Sequence, residues 1–177
     1  MSMRTLFFSL IMVSHNLTLF DFSQESSLRN WAIINDGVMG GLSRGQLKLS
    51  PEGYGKFSGT VSLANNGGFT SIRCNLPPTA IPQDAKISLR IKGDGKAYQF
   101  RVRHKPMAYQ SYIYDFTTSG EWETIEFPIA EMYPQRYGRK LNMPNFNHEK
   151  MCEFTFLIAN KRNEEFELLI DQVHLTN

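Results

Sequence analysis

The chain has 177 residues, of which 41% are apolar, 12% aromatic and 20% charged. Those proportions fit one folded domain with a sizeable core and exclude a disordered chain. A formal net charge of +2 is too small to argue for a nucleic-acid partner.

The chain opens on Arg4 and an apolar run over residues 6–13. The run is too short to span a bilayer. It fits either an export signal lacking an A-x-A cleavage pattern or a first strand. Residues 1–16 are therefore read as an apolar lead-in and residues 17–177 as a single domain. No transmembrane segment is expected. The expected compartment is the cytoplasm, with an exported or periplasmic location if the run is a signal and a mitochondrial one if the source is eukaryotic.

Residues 31–47 read WAIINDGVMGGLSRGQL. The glycines miss the spacing of a phosphate loop and of a dinucleotide loop, and no strand–helix context surrounds them. Gly41-Leu42-Ser43-Arg44-Gly45 matches the five-letter pattern of a nucleophile elbow, but that turn needs a following helix, which this sequence does not supply. Asn35-Asp36-Gly37 permits a tight turn with positive φ, and Gly40-Gly41 permits close approach of another segment. Asp36 can tie down N–H groups of its own loop. The stretch reads as a folding device on which a site can be built.

Beyond it the hydrophobic period is mostly two. Residues 46–49, 55–63 and 69–75 are expected strands. Residues 85–92 alternate, with Ile87, Leu89 and Ile91 facing one way. Gly93-Asp94-Gly95 reads as a hairpin turn into residues 97–105, where Tyr98, Phe100 and Val102 share a face. Residues 111–118, 122–129, 153–160 and 165–175 continue the pattern. Short turns fit residues 24–29 and 129–133, and residues 134–150 read as a long surface loop. About ten strands at short spacing describe an all-β sandwich.

No catalytic set emerges. His15, His104, His148 and His174 lack metal-ligand spacing, and Cys74 and Cys152 form no CxxC pair and read as buried thiols. The carboxylates Asp36, Asp94, Asp115 and Asp171 are scattered over turns and strands. Neither a metal nor a cofactor is expected. A basic stripe is the more informative feature. If the Gly93–Gly95 turn joins two paired strands, then Arg90, Lys92, Arg101 and Arg103 share one sheet face, with Tyr109 and Tyr112 nearby. Such a face is either solvated or a concave binding surface.

Trp31, Asn35-Asp36-Gly37-Val38-Met39-Gly40-Gly41 and Ser43 resemble the signature of the complex I intermediate-associated protein family. Phe57-Ser58-Gly59, Asn65-Asn66-Gly67-Gly68-Phe69, Arg73, Gly93-Asp94-Gly95 with Tyr98, and Phe166 to Asp171 extend the resemblance over residues 19–175. It implies a galactose-binding-domain-like jelly-roll β-sandwich and a non-enzymatic role, which in mitochondrial members is assistance in assembling respiratory complex I. The mitochondrial members' long N-terminal extension and transit peptide are not evident in this sequence, nor is the reductase-like domain of some plant relatives. The expected function is a binding module that contacts a protein partner; the alternative is a carbohydrate-binding module. The candidate contact residues are Asp36, Met39, Ser43, Asn65, Asn66, Arg73, Arg101 and Arg103. The expected structural glycines are Gly37, Gly40, Gly41, Gly67 and Gly68.

Overall fold

A computed structural model describes residues 16–177 apart from Gln83, so all but the last residue of the apolar lead-in lies outside the described residues. Among these residues thirteen strands build two antiparallel sheets. In chain order they are β1 (Leu17–Asp21), β2 (Trp31–Asn35), β3 (Arg44–Leu49), β4 (Gly55–Val61), β5 (Thr70–Ala80), β6 (Lys86–Lys92), β7 (Ala97–Arg103), β8 (Ser111–Thr117), β9 (Trp122–Pro128), β10 (Tyr133–Arg136), β11 (Arg139–Lys140), β12 (Lys150–Ile158) and β13 (Glu164–Thr176). The chain is an all-β sandwich, with more strands than the ten expected. Three short 3-10 turns interrupt it, at Asp36–Met39, Ala64–Asn66 and Ile129–Glu131.

One sheet runs β3-β4-β13-β6-β9, with β1 also paired to β13; the other runs β11-β10-β8-β7-β12-β5-β2. The long β13 unites the first sheet, pairing with β4 over its N-terminal half and with β1 and β6 over the rest. Alternation places Ile87, Leu89 and Ile91 of β6 against the core from one side, and Tyr98, Phe100 and Val102 of β7 from the other. Aromatic rings fill the space between. Phe100 stacks on Phe154 at 5.6 Å and meets Phe156 edge-on at 5.2 Å. Tyr114 lies flat on Phe127 at 3.8 Å. Each fully buried Phe contributes about 1.5–3 kcal/mol relative to exposure.

The expected hairpin between β6 and β7 does not form. These strands lie in different sheets, β6 between β13 and β9, and β7 between β12 and β8. Gly93-Asp94-Gly95 is the crossing between sheets. The Asp94 carboxylate accepts the Tyr98 hydroxyl at 2.9 Å and the Glu167 N–H at 3.0 Å, and it pairs with Lys96 at 2.6 Å. A glycine at 93 is needed because a Cβ there would lie 2.3 Å from the Thr118 hydroxyl. The four-residue basic stripe is thereby divided: Arg90 and Lys92 stand on one sheet, Arg101 and Arg103 on the other. Tyr112 likewise leaves the stripe, because it is buried in the core.

Residues 134–150 are not loop throughout. β10 and β11 form a hairpin in which Arg136 pairs with Arg139. Its two-residue turn is Tyr137 (φ 46°) and Gly138 (φ 76°), and positive φ at both positions matches the right-handed twist of the flanking strands.

Candidate functional site

The signature motifs meet at one carboxylate. Asp36 is buried, and it accepts the Ser43 N–H at 3.1 Å, the Ser43 hydroxyl, the Gly68 N–H at 2.7 Å and the Phe69 N–H at 3.3 Å. Burial alone would raise its pKa, but the Ser43 hydroxyl and the three backbone donors outweigh that and hold it below the ordinary value. Ser43 is 0% exposed, and its hydroxyl oxygen accepts the Ser62 N–H at 3.0 Å. Asp36 and Ser43 are therefore interior ties between loops, a correction to their expected place on a contact surface.

The glycines around Asp36 follow from that crowding. A Cβ on Gly41 would lie 2.2 Å from the Asp36 carboxylate, and one on Gly67 would lie 2.6 Å from it and from the Ser62 carbonyl. Gly40 caps the 3-10 turn at φ 87° and Gly68 sits at φ 142°, in the region that L side chains avoid. Gly37 differs: a Cβ there meets nothing within 4 Å and its φ is not positive, so no clash or left-handed φ there calls for glycine. Asn65 and Asn66 are exposed at φ 55° and 59°, and the Asn65 amide donates to the Gly40 carbonyl at 3.0 Å. The Met39 side chain lies outside what is described.

The consequence of this knot is the placing of Phe69, which lines a cleft of about 820 Å³ on the outer face of the seven-stranded sheet. Residues paired across neighbouring strands share a face. The pairings Arg73–Thr155, Thr155–Arg101, Arg101–Ile113 and Ile113–Tyr133 set one row across β5, β12, β7, β8 and β10. A parallel row carries Glu153 opposite Arg103 and Ser111 opposite Gln135. Ile113 and Leu157 are buried yet stand outside the core cluster, forming an apolar floor under this face. One wall is the loop 104–110 between β7 and β8, and the other is the β10–β11 hairpin. Their tips carry Met107, Tyr109 and Tyr137, which are 94%, 61% and 87% exposed.

Electrostatics divide the basic groups. Arg73 and Arg103 share Glu153, at 3.1 and 3.7 Å. Burial raises the Glu153 pKa, and the two arginines oppose that rise. Arg103 Nε also donates to the Ser111 hydroxyl at 3.1 Å. The Arg136 guanidinium lies over the Tyr109 ring at 3.9 Å and the Tyr137 ring at 4.8 Å. Arg101 donates only to amide oxygens, those of Gln99 and Gln135, and burial pushes its pKa down to about 10. The structure thus brings Arg73, Arg101 and Arg103 together on one face. Tyr109, expected near the basic stripe, does line the cleft, whereas Gln135, Arg136 and Tyr137 are cleft residues that the sequence did not single out. The Tyr137-Gly138 pair between Arg136 and Arg139 is the signal that could have found them.

Two further groups are chemically quiet. Cys74 and Cys152 are free and buried, and burial raises the Cys74 pKa to about 12. His104 stacks on His148 at 3.8 Å, and the His148 Nε2 meets the Tyr112 hydroxyl at 2.8 Å. Among the described residues no group of three or more His, Cys, Asp or Glu is placed to hold a metal ion, and no helix is long and apolar enough to cross a membrane.

Residues 20–170 match the family model described as complex I intermediate-associated protein 30. The mouse (Mus musculus) protein named complex I intermediate-associated protein 30, mitochondrial, is 22% identical over 176 residues, covering 86% of this chain and 54% of its own length. This chain thus spans about half the length of that relative. A family 11 carbohydrate-binding module from Clostridium thermocellum, in complex with a β-1,3-1,4-mixed-linked tetrasaccharide, superposes with a TM-score of 0.67 at 21% identity, over 90% of this chain and 94% of that one. A mutant of a family 29 carbohydrate-binding module gives 0.58 at 8% identity, over 93% and 92%. At these identities the likeness is one of fold.

Proposed function

The chain belongs to the complex I intermediate-associated protein 30 family, and from that footing we propose that it is a non-catalytic binding module that contacts a protein partner, an assembly intermediate of respiratory complex I, through the cleft. The observation that carries this reading is the rim. Met107, Tyr109 and Tyr137 are exposed beside Arg101, Arg103 and Arg136, and Met, aromatic residues and Arg are the types that protein interfaces favour. A non-catalytic role fits the chemistry of Ser43, which is fully buried and bonded to Asp36. In a eukaryotic source the mitochondrion is the proposed compartment, as in the name of the mouse relative; the cytoplasm is proposed otherwise.

Carbohydrate binding is the second reading, and the two exposed rings at the cleft mouth favour it. The Arg136 guanidinium covers one face of each tyrosine and leaves the other open. What favours protein is the setting of the rings, with Met107, Arg101 and Arg103 beside them.

The test is affinity capture from cell extract with the wild-type chain and with Arg101→Glu/Arg103→Glu. Wild type should enrich complex I subunits and the double variant should lose them, because reversal slows encounter and weakens contact with an acidic surface. Capture of no complex I subunit by the wild-type chain would sink the reading.

A further inference from the structure

Of the arginines on this face and at its rim, Arg101 and Arg136 pair with no carboxylate among the described residues, and Arg101 is the desolvated one of the two. Arg73 and Arg103 share the single Glu153 carboxylate, which offsets one of their two charges, and Arg136 is held over two neutral rings. Arg101 Nε and Nη2 donate to Gln99 Oε1 at 3.0 and 2.5 Å, and Nη2 reaches Gln135 Oε1 at 3.2 Å. Both acceptors are neutral amides. Asp115 belongs to the same sheet face and its charge favours the protonated Arg101, but its oxygens accept from the Gln99 amide at 2.7 Å and the Tyr133 hydroxyl at 2.6 Å, so it does not bond Arg101 directly. Among the described residues no carboxylate stands at ion-pair distance from Arg101. Among the described residues no hydrogen bond from its Nη1 is seen.

A partly desolvated guanidinium without an anion is an unfavourable arrangement that a ligand can relieve. The two glutamines hold one edge of the guanidinium, so the planar group is oriented before anything binds. A carboxylate is the anion whose two oxygens match that planar fork. Resting on the protein-binding reading above, we propose that the cleft captures an acidic side chain of an extended partner segment, with Arg101 pairing to its carboxylate. The neighbouring residues of that segment are apolar or aromatic. They would meet the rim side chains Met107, Tyr109 and Tyr137, together with Phe69 and the floor residue Leu157. This apolar surround favours a peptide over an acidic sugar, which carries a carboxylate but no apolar neighbours of that size.

The probe is a fluorescent random copolymer of Glu and Tyr, titrated into the full chain at low salt. A Lys and Tyr copolymer and oligogalacturonate serve as comparisons. Wild type should bind the Glu copolymer and neither of the others. Arg101→Met should weaken that binding roughly tenfold or more, the effect of losing a charge-assisted hydrogen-bonded pair. Its melting temperature should not fall, because the substitution also removes a desolvated charge. Arg101→Lys keeps the charge without the fork and should lie between. Arg103→Gln, where Glu153 already offsets part of the charge, should weaken binding less than Arg101→Met. Wild-type affinity in Arg101→Met, preference for oligogalacturonate, or no binding of the Glu copolymer to wild type would each overturn the proposal. Continued capture of complex I subunits by Arg101→Met would defeat this inference alone and leave the protein-binding reading standing.

Discussion

Asp36 shows how much one side chain can organise. Its carboxylate replaces backbone pairing for three N–H groups on two loops that no strand ladder serves. Asp36→Asn keeps the shape but removes the charge and turns one acceptor into a donor, so it should destabilise the domain by about 1–3 kcal/mol. Because the Asp36 pKa is lowered from 3.8, its contribution is present above that value and is lost as pH falls through the lower folded value. Melts of wild type and Asp36→Asn should therefore differ at neutral pH and converge in acid below the ordinary carboxylate range. A difference that persists unchanged to the lowest pH would contradict this role. The glycines give a sharper contrast. Gly41→Val and Gly67→Val should each cost more than about 1 kcal/mol because they strike Asp36, whereas Gly37→Ala should leave the melting temperature unchanged. The sequence disclosed this knot in part: glycine spacing and Asp36 identified a folding device, but burial of Ser43 against Asp36 is a tertiary fact. A serine in a Gly-rich turn reads the same whether it faces in or out.

Among the elements, alternation identified strands well where one face meets the core. β7 is the clear case, with Tyr98, Phe100 and Val102 inside and Gln99, Arg101 and Arg103 outside. It failed for pairing. Gly-Asp-Gly after β6 carries the chemistry of a hairpin turn, and the same permissive backbone serves a crossing between sheets. What decides is the network that Asp94 makes with Tyr98 and Glu167, a residue far along the chain. β2 was missed because its five residues run straight into the glycine motif. β10 and β11 were missed because prolines and asparagines surround them. At the end of β7 the element scale carries a pH dependence. Burial lowers the pKa values of His104 and His148; a charge on the other ring adds to this for His104, and Lys105 for both. Each depressed value makes the uncharged pair the stable form, so the contribution is present above the ordinary histidine value of 6.5 and is lost as pH falls through the folded values. Wild type should melt at a lower temperature at pH 5 than at pH 7. His148→Phe, which keeps a stacking ring without a proton site, should reduce that difference. An identical pH dependence in the variant would show that the pair does not titrate in this way.

For the whole molecule, the sandwich does two tasks with its two faces. The inner faces pack the aromatic core. The outer face of the seven-stranded sheet, raised at its edges by the 104–110 loop and the β10–β11 hairpin, becomes the cleft. β12 records this in its burial, since Glu153, Thr155 and Leu157 are shielded on the side away from the core. The resemblance in the signature motifs located the family. The Asp36 knot built from those motifs holds Phe69, itself a motif residue, at the cleft, while Tyr109, Gln135, Arg136 and Tyr137 from outside the motifs complete the lining. A protein partner seated in this cleft can be caught by site-specific photocrosslinking. A benzophenone amino acid replaces Tyr137 at the cleft mouth, and in a second chain it replaces Glu52, an exposed turn residue beside β3 and β4 of the other sheet. Position 137 should give a discrete crosslink to a complex I subunit and position 52 none, and the first should be lost when Arg101→Glu/Arg103→Glu is added. Crosslinks from position 52 alone, or from position 137 undiminished by the double reversal, would contradict a partner seated there.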